Sequence, residues 1–216
     1  EIEDVGETAL SYSEVKALAT GDPRILEKAK LDAETTRLER LERAHSRNQR
    51  MLSATIDKAE TGLPRLEAAR QQLEAAIEQR IDTSGERFTM SVGSTRWTAR
   101  ADAAIALRNA LAALRPAGDR DYDRSAHVAT LAGFDIIATP RRYLDPHFTL
   151  ELAGVPLSSI SVAFDELRAD RPLGIVLRLE NRTSDLERTA RKVAEEAATL
   201  AREADRARAE YDKPFP

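Results

Sequence analysis

The stretch from Leu186 to Tyr211 constrains this chain more than any other. Its apolar positions, Leu186, Ala190, Val193, Ala197, Leu200, Ala204, Ala207 and Tyr211, alternate steps of four and three residues without a slip. That spacing writes a single apolar seam along a helix, and the seam demands a partner helix to cover it. Alanine fills four of the eight positions, so the partner approaches closely. A similar stripe lies upstream at Leu52, Ile56, Ala59, Leu63, Leu66, Leu73 and Ile77. A helix as long as the final one, counted back from Asp82, reaches about Thr55. Two helices that leave and enter one small domain at adjacent points run antiparallel, so residues 52–82 and 185–211 are expected to pair within one chain. The reading is an α+β chain: a long antiparallel helical hairpin (coiled coil) carrying a small α+β head with an antiparallel sheet.

Composition supports that division. Glu, Arg, Ala and Leu dominate both ends, whereas Val, Ile, Phe, Thr, Gly and Pro gather between residues 85 and 180. A charged fraction of 32% beside an aromatic fraction of 5% suits long exposed helices better than one compact core. Four segments follow: residues 1–21 as a linker with a short helix, 22–84 as a helical arm, 85–182 as the head, and 183–213 as the returning helix. Ser11 and Glu14 form a capping box for the short helix, which Gly21 ends. Asp22-Pro23 starts the arm, and Gly62-Leu63-Pro64 predicts a kink or break in it.

In the head, Phe88, Met90 and Val92 alternate into Gly93-Ser94, with Trp97 on the return, which predicts a hairpin. Ala101 to Leu114 reads as an amphipathic helix with Ala104, Leu107, Leu111 and Leu114 on one side. Pro116 to Ser125 is a polar loop. Three strands are expected over Phe134–Thr139, Phe148–Ala153 and Leu157–Phe164. Pro172 to Glu180 fits strand or helix; a short helix is favoured because Ile175, Val176 and Leu179 share a face. Ser184 and Glu187 form a capping box for the last helix.

The chemistry of common enzymes is missing. There is no cysteine, hence no disulfide framework or thiolate metal site. No Walker A pattern occurs, and the glycines never cluster into a phosphate cradle. His45, His127 and His147 lack metal-ligand spacing, and no serine sits in a nucleophile elbow. No catalytic, cofactor or metal residue is expected. No apolar run approaches the ~20 residues needed to cross a bilayer, and no signal peptide is present, so a cytoplasmic location is expected. The chain starts at Glu1 without methionine and ends at Pro-Phe-Pro, from which a larger parent protein is expected.

A net charge of −4 gives no global attraction to nucleic acid, so contact with DNA requires a local patch. One exists. Arg40, Arg43, Arg47 and Arg50 repeat at steps of three, four and three, and line one helical face. They sit about two positions from the Leu38, Leu41, His45, Asn48 seam, which turns them toward solvent. The stripe is ~15 Å long, enough to reach several backbone phosphates. The competing reading is a solvated face part-neutralised by Glu39 and Glu42. Arg141-Arg142-Tyr143 forms a second basic and aromatic candidate, a loop tip able to stack a base beside a phosphate, or else an ordinary exposed turn. The polar seam residues His45, Asn48 and Arg70 are expected to set register. On this reading the stretch from Ile25 to Gln49 is unpaired and needs the first short helix, a second copy or missing parts of a parent protein, so residues 25–50 are a candidate surface for self-association.

Several segments resemble one family. Ala9 to Pro23 (Ala-Leu-Ser-Tyr-Ser-Glu-Val-Lys-Ala-Leu-Ala-Thr-Gly-Asp-Pro) carries the most specific part. Leu26 to Ala29, Asp32 to Glu34, Arg37 to Leu41, Ala132-Gly133-Phe134, Leu173-Gly174, Arg178 to Asn181 and Lys213 to Pro216 extend it over nearly the whole chain. The chain resembles the region after the second motor domain of bacterial Swi/Snf-like superfamily-two helicase-like proteins. These are often joined to an adenine DNA methylase region and carried on mobile elements. The resemblance implies a parent DNA-dependent ATPase, a hydrolase that uses ATP and Mg, with its motor domains before Glu1. It supplies no catalytic or binding residue for this chain. The function expected is a non-catalytic accessory module that holds or guides DNA or relays motor movement; the alternative is a structural or oligomerisation arm that never touches nucleic acid.

Overall fold

Helix α1 runs from Pro23 to Gln79, 57 residues in one element. The computed structural model describes residues 15, 16, 19, 23–118, 121–142, 145–168 and 172–215. The Ser11–Glu14 capping box, the stop at Gly21 and the Asp22 cap lie outside these residues. Of the kink or break expected at Gly62-Leu63-Pro64, the break does not occur: α1 runs through with Pro64 inside it. Proline costs the ladder one donor, but the partner helix packs directly across this turn. A Cβ on Gly62 would stand 2.9 Å from Leu200 Cδ2. Gly62 is therefore a notch for Leu200.

The partner is α4, Leu186–Tyr211, and the two long helices form a hairpin-like antiparallel pair. The chain divides into two compact units, Glu1–Ala59 with Arg202–Pro216, and Glu60–Ala201. In the first, Ala59, Ala204 and Ala207 are buried. Gln49 Nε2 donates to Tyr211 O at 3.0 Å, and the His45 ring meets the Phe215 ring edge-on at 5.3 Å, so the end of the 25–50 stretch, expected to lack an internal partner, has one in the chain's C-terminal residues. In the second, Leu73, Ala76, Leu186 and Val193 are buried, and Arg80 Nη1 donates to Thr183 O at 2.9 Å. Within each unit residue numbers climb on one helix as they fall on the other, as an antiparallel pair requires. Burial of side chains the size of Leu73 stabilises by ~1.5–3 kcal/mol each.

The second unit also holds the sheet domain. Among the described residues, six antiparallel strands are ordered β2-β1-β3-β4-β5-β6: β1 Met90–Val92, β2 Thr95–Trp97, β3 Ala126–Leu131, β4 Phe134–Arg141, β5 His147–Leu152 and β6 Ile160–Ala163. The β1–β2 loop is Gly93-Ser94, with Gly93 at φ +58°, the first-position glycine of a type II′ turn. The β3–β4 loop is Ala132-Gly133, both at positive φ, a type I′ turn.

Register places Met90, Leu131, Phe134, Ile136, Leu152, Ala138 and Leu150 on one face, joined by Phe148, Val162 and Ile160. All are buried in a common core with Leu107 and Leu111 of α2 (Arg100–Ala113) and Ile175, Val176 and Leu179 of α3 (Leu173–Ser184). The other face carries mostly polar side chains, which suits an antiparallel sheet packed on one side only.

Three local expectations are corrected. Strand β3 is not among the strands expected from sequence, because a bulge between His127 and Ala129 breaks the period-two alternation. Strand β6 starts at Ile160 rather than Leu157, since Leu157 turns at φ +58°. Ser158 fixes that turn by accepting from Leu152 N (3.0 Å) and donating to Val155 O (2.7 Å). Ser184 ends α3 rather than capping α4, and Glu187 is engaged by Arg80. Among the described residues, no helix is long and apolar enough to cross a membrane.

Candidate nucleic-acid interface

Residues Arg37 to Arg50 hold five arginines against two glutamates, +3 locally in a chain of −4 overall. Helical periodicity sets Arg40, Arg43, Arg47 and Arg50 along one flank of α1, and all four are exposed. Arg43, Arg47 and Arg50 line one shallow depression with Glu42 and Ser46, of about 440 Å³. Arg40 opens onto a second, with Asp32, Ala33, Thr36, Arg37, Leu41 and Ala44. Arg37 is a cation that the stripe's spacing does not include, although it lies one turn before Arg40 and Leu41.

The cations differ in what already holds them. Arg43 Nη2 sits 3.3 Å from Glu39 Oε2, an exposed i,i+4 pair worth little in water. Arg50 Nε donates to Ser46 O at 3.2 Å, which leaves its other nitrogens outward. Arg37 lies 3.4 Å from Glu34. Arg40 and Arg47 form no ion pair among the described residues. The arrangement is a solvent-facing row of guanidinium groups with one weak internal pair. It can meet anionic oxygens without first breaking buried contacts.

The second candidate is built differently. Arg141 ends β4 opposite His147, and its Nη1 lies 2.5 Å from Asp123 Oδ1. Asp123 is itself set in a left-handed turn (φ +64°), with its N–H donating to Pro140 O at 2.9 Å. Arg142 lies over the Tyr122 ring at 5.9 Å, a long cation–π contact. Tyr143 lies outside the described residues. Arg141 is thus tied to a carboxylate, which weakens any phosphate contact there.

Two of the three polar seam residues, His45 and Arg70, have partners in the structure. His45 meets the Phe215 ring edge-on, while Arg70 reaches Glu67 at 2.8 Å and Glu74 at 2.5 Å along its own helix. Those carboxylates raise the Arg70 pKa, and the Arg70 hydrogen bond lowers that of Glu67.

One constellation escapes sequence reasoning altogether. At the end of α1, Arg80 binds Thr183 O and the Glu187 carboxylate. Close by, Arg100 binds Glu180, Thr83 O and Gly85 O. Two arginines thus grip the last turn of α3, where carbonyls lack helical partners. Nothing in the sequence spacing marks them, because their carboxylate partners, Glu180 and Glu187, lie 80 and 107 residues away. Ile77, Arg80, Asp82, Thr83, Glu180 and Thr183 help line an open pocket of about 370 Å³ there. Every charged group in it is engaged, so we assign it to holding α1, α2, α3 and α4 together within this unit. Among the described residues, no cluster of His, Cys, Asp and Glu is arranged to hold a metal. No family model, curated protein or solved structure matches the chain.

Proposed function

We propose that this chain is a non-catalytic accessory module that holds nucleic acid by its phosphate backbone along the Arg40, Arg43, Arg47, Arg50 flank of α1. The supporting observation is that row itself: exposed, locally +3, and without an ion pair at Arg40 or Arg47 among the described residues. Guanidinium groups on an exposed helix meet phosphates rather than base edges, so binding is insensitive to sequence and strongly sensitive to salt. The sequence resemblance makes DNA the nucleic acid and a cytoplasmic, ATP- and Mg-dependent bacterial helicase-like motor the parent. In that setting the helix pair guides DNA or relays movement from the motor domains. A salt titration of DNA binding by the purified chain tests it. The proposal requires log affinity to fall linearly with log salt; affinity that is absent at low salt, or flat across the titration, opposes it.

A second reading rests on a separate observation. Leu31, Leu38 and Leu41 continue an apolar seam on α1 yet are 62%, 45% and 39% exposed. Self-association through residues 25–50 covers that seam and makes the helix pair an oligomerisation arm. Sedimentation of Leu38→Glu beside the unaltered chain tests this reading: the substitution lowers the assembled fraction if the seam joins copies, and leaves it unchanged otherwise.

A further inference from the structure

We propose that β6 is a strand-addition surface held shut by Glu166 and Arg178, and that the strand it accepts is β6 of a second copy of this chain. Among the described residues, strand β6 borders the sheet and pairs only with β5. Edge strands are normally guarded by charge, proline or a bulge. Ile160-Ser161-Val162-Ala163 has no charge and no proline, and its register with β5 is regular.

Phe164 N donates to Pro146 O at 3.2 Å, one step beyond the Ala163–His147 pair. Antiparallel ladders alternate, so Val162 and Ile160 also face β5, while the peptide groups of Ser161 and Ala163 point outward. Two of those outward groups are taken by side chains. Glu166 Oε1 accepts from Ala163 N at 2.9 Å, and Arg178 Nη1 donates to Ser161 O at 2.8 Å. The two guards are themselves joined, Arg178 Nη2 to Glu166 Oε2 at 2.5 Å. One ion pair therefore occupies the position of a neighbouring strand. The Ser161 N–H has no partner among the described residues. Beside it runs an open groove of about 360 Å³, lined by Ser159, Ile160 and Ser161 on one side and Arg178, Asn181 and Arg182 on the other.

The self-complementarity of β6 selects a second copy as the occupant. Laid antiparallel about a two-fold axis at Val162, β6 sets Val162 against Val162 and Ile160 against Phe164 on the buried face. Ser161 and Ala163 meet Ala163 and Ser161 of the second copy on the other. Arg178 guards the Ser161 end and Glu166 the Ala163 end, so the same axis brings each Arg178 toward the Glu166 of the other copy. The ion pair broken within each edge re-forms across the new one. Both guards are well exposed, with side chains at 38% and 42%, so opening the latch uncovers no buried charge.

The test compares the whole chain with Glu166→Ala/Arg178→Ala by light scattering, and follows exchange of the Ser161 amide. The double variant is expected to double its molar mass relative to the unaltered chain at matched concentration. Exchange at Ser161 should slow with it, and both changes should reverse on dilution. Adding Ser161→Pro, which removes an outward N–H and no bond to β5, is expected to restore the original mass. Should the double variant fail to fold by circular dichroism, Arg178→Ala alone serves. It frees the Ser161 carbonyl and leaves the Glu166 bond, so a weaker association with the same reversal is expected. A folded variant with unchanged mass and fast exchange at Ser161 overturns the proposal, as does an association that Ser161→Pro leaves in place.

Discussion

Arg100 and Glu180 are joined by two parallel hydrogen bonds, Nε and Nη2 each 2.8 Å from a carboxylate oxygen. The fork ties the start of α2 to the last turn of α3. Arg100 also donates to Gly85 O at 3.0 Å and lies 4.5 Å over the Phe88 ring. The Glu180 carboxylate holds the Arg100 pKa above its ordinary value. Glu180 is only 14% exposed, so removing its partner strands a largely buried charge. Arg100→Ala should therefore cost ~2–4 kcal/mol in urea unfolding. Arg100→Lys should recover only part of that, because an ammonium cannot reproduce the fork. A loss below ~1 kcal/mol for Arg100→Ala would mean that the fork adds little.

Gly133 marks where the sheet meets the end of α1. It sits at φ +87°, and an added Cβ would stand 3.4 Å from Gln79 O and from two carbons of Ile81. The preceding Ala132 accepts from Ile81 N at 3.0 Å. Gly133→Ala should destabilise by ~1–2 kcal/mol from the left-handed backbone alone. A thermal melt that stays put would show that the turn relaxes without strain.

Acid should loosen the junction. Arg80 holds the Glu187 carboxyl below its ordinary value of 4.5, helped by the Glu187 backbone N–H. A depressed folded pKa contributes stability that is complete above the unfolded value and is lost as pH falls through the folded one. Asp82, held down chiefly by the Ser84 N–H, and Glu67, held down by Arg70, act in the same direction. Melting temperature should therefore drop as pH falls below about 4.5. Glu187 is about half exposed, so Glu187→Gln should cost under ~1 kcal/mol at neutral pH. The two melting curves should converge in acid. Parallel curves across the whole range would remove Glu187 from this account.

The long helices are legible in the sequence because each carries its period locally. The seam from Leu186 to Tyr211 repeats over many turns, and α4 follows it from end to end. The hairpin at Gly93-Ser94 is legible for the same reason, its glycine being the residue the turn demands. Strand β3 is not, since a single bulge between His127 and Ala129 erases the alternation on which recognition depends. Pro64 does not break α1, where the partner helix packs over Gly62, a contact that intrinsic propensity ignores. The arginine row is readable from spacing, whereas the pairing of Arg141 with Asp123 depends on a left-handed turn that no local pattern announces. Long-range ion pairs such as Arg80 with Glu187 exist only once the fold brings them together.

The most direct test of the central claim is DNA affinity as a function of salt for the chain with Arg40, Arg43, Arg47 and Arg50 all changed to Glu, alongside its thermal melt. The account predicts weaker binding to every sequence and an unchanged base preference. It also predicts a slope of log affinity against log salt that flattens by roughly 0.7 to 0.9 for each phosphate the variant no longer neutralises. Melting should move little, because all four side chains are exposed and Arg43 alone among them forms an ion pair among the described residues. A folded quadruple variant that binds DNA with the original affinity and salt slope would contradict the account and leave the helix pair as a structural arm.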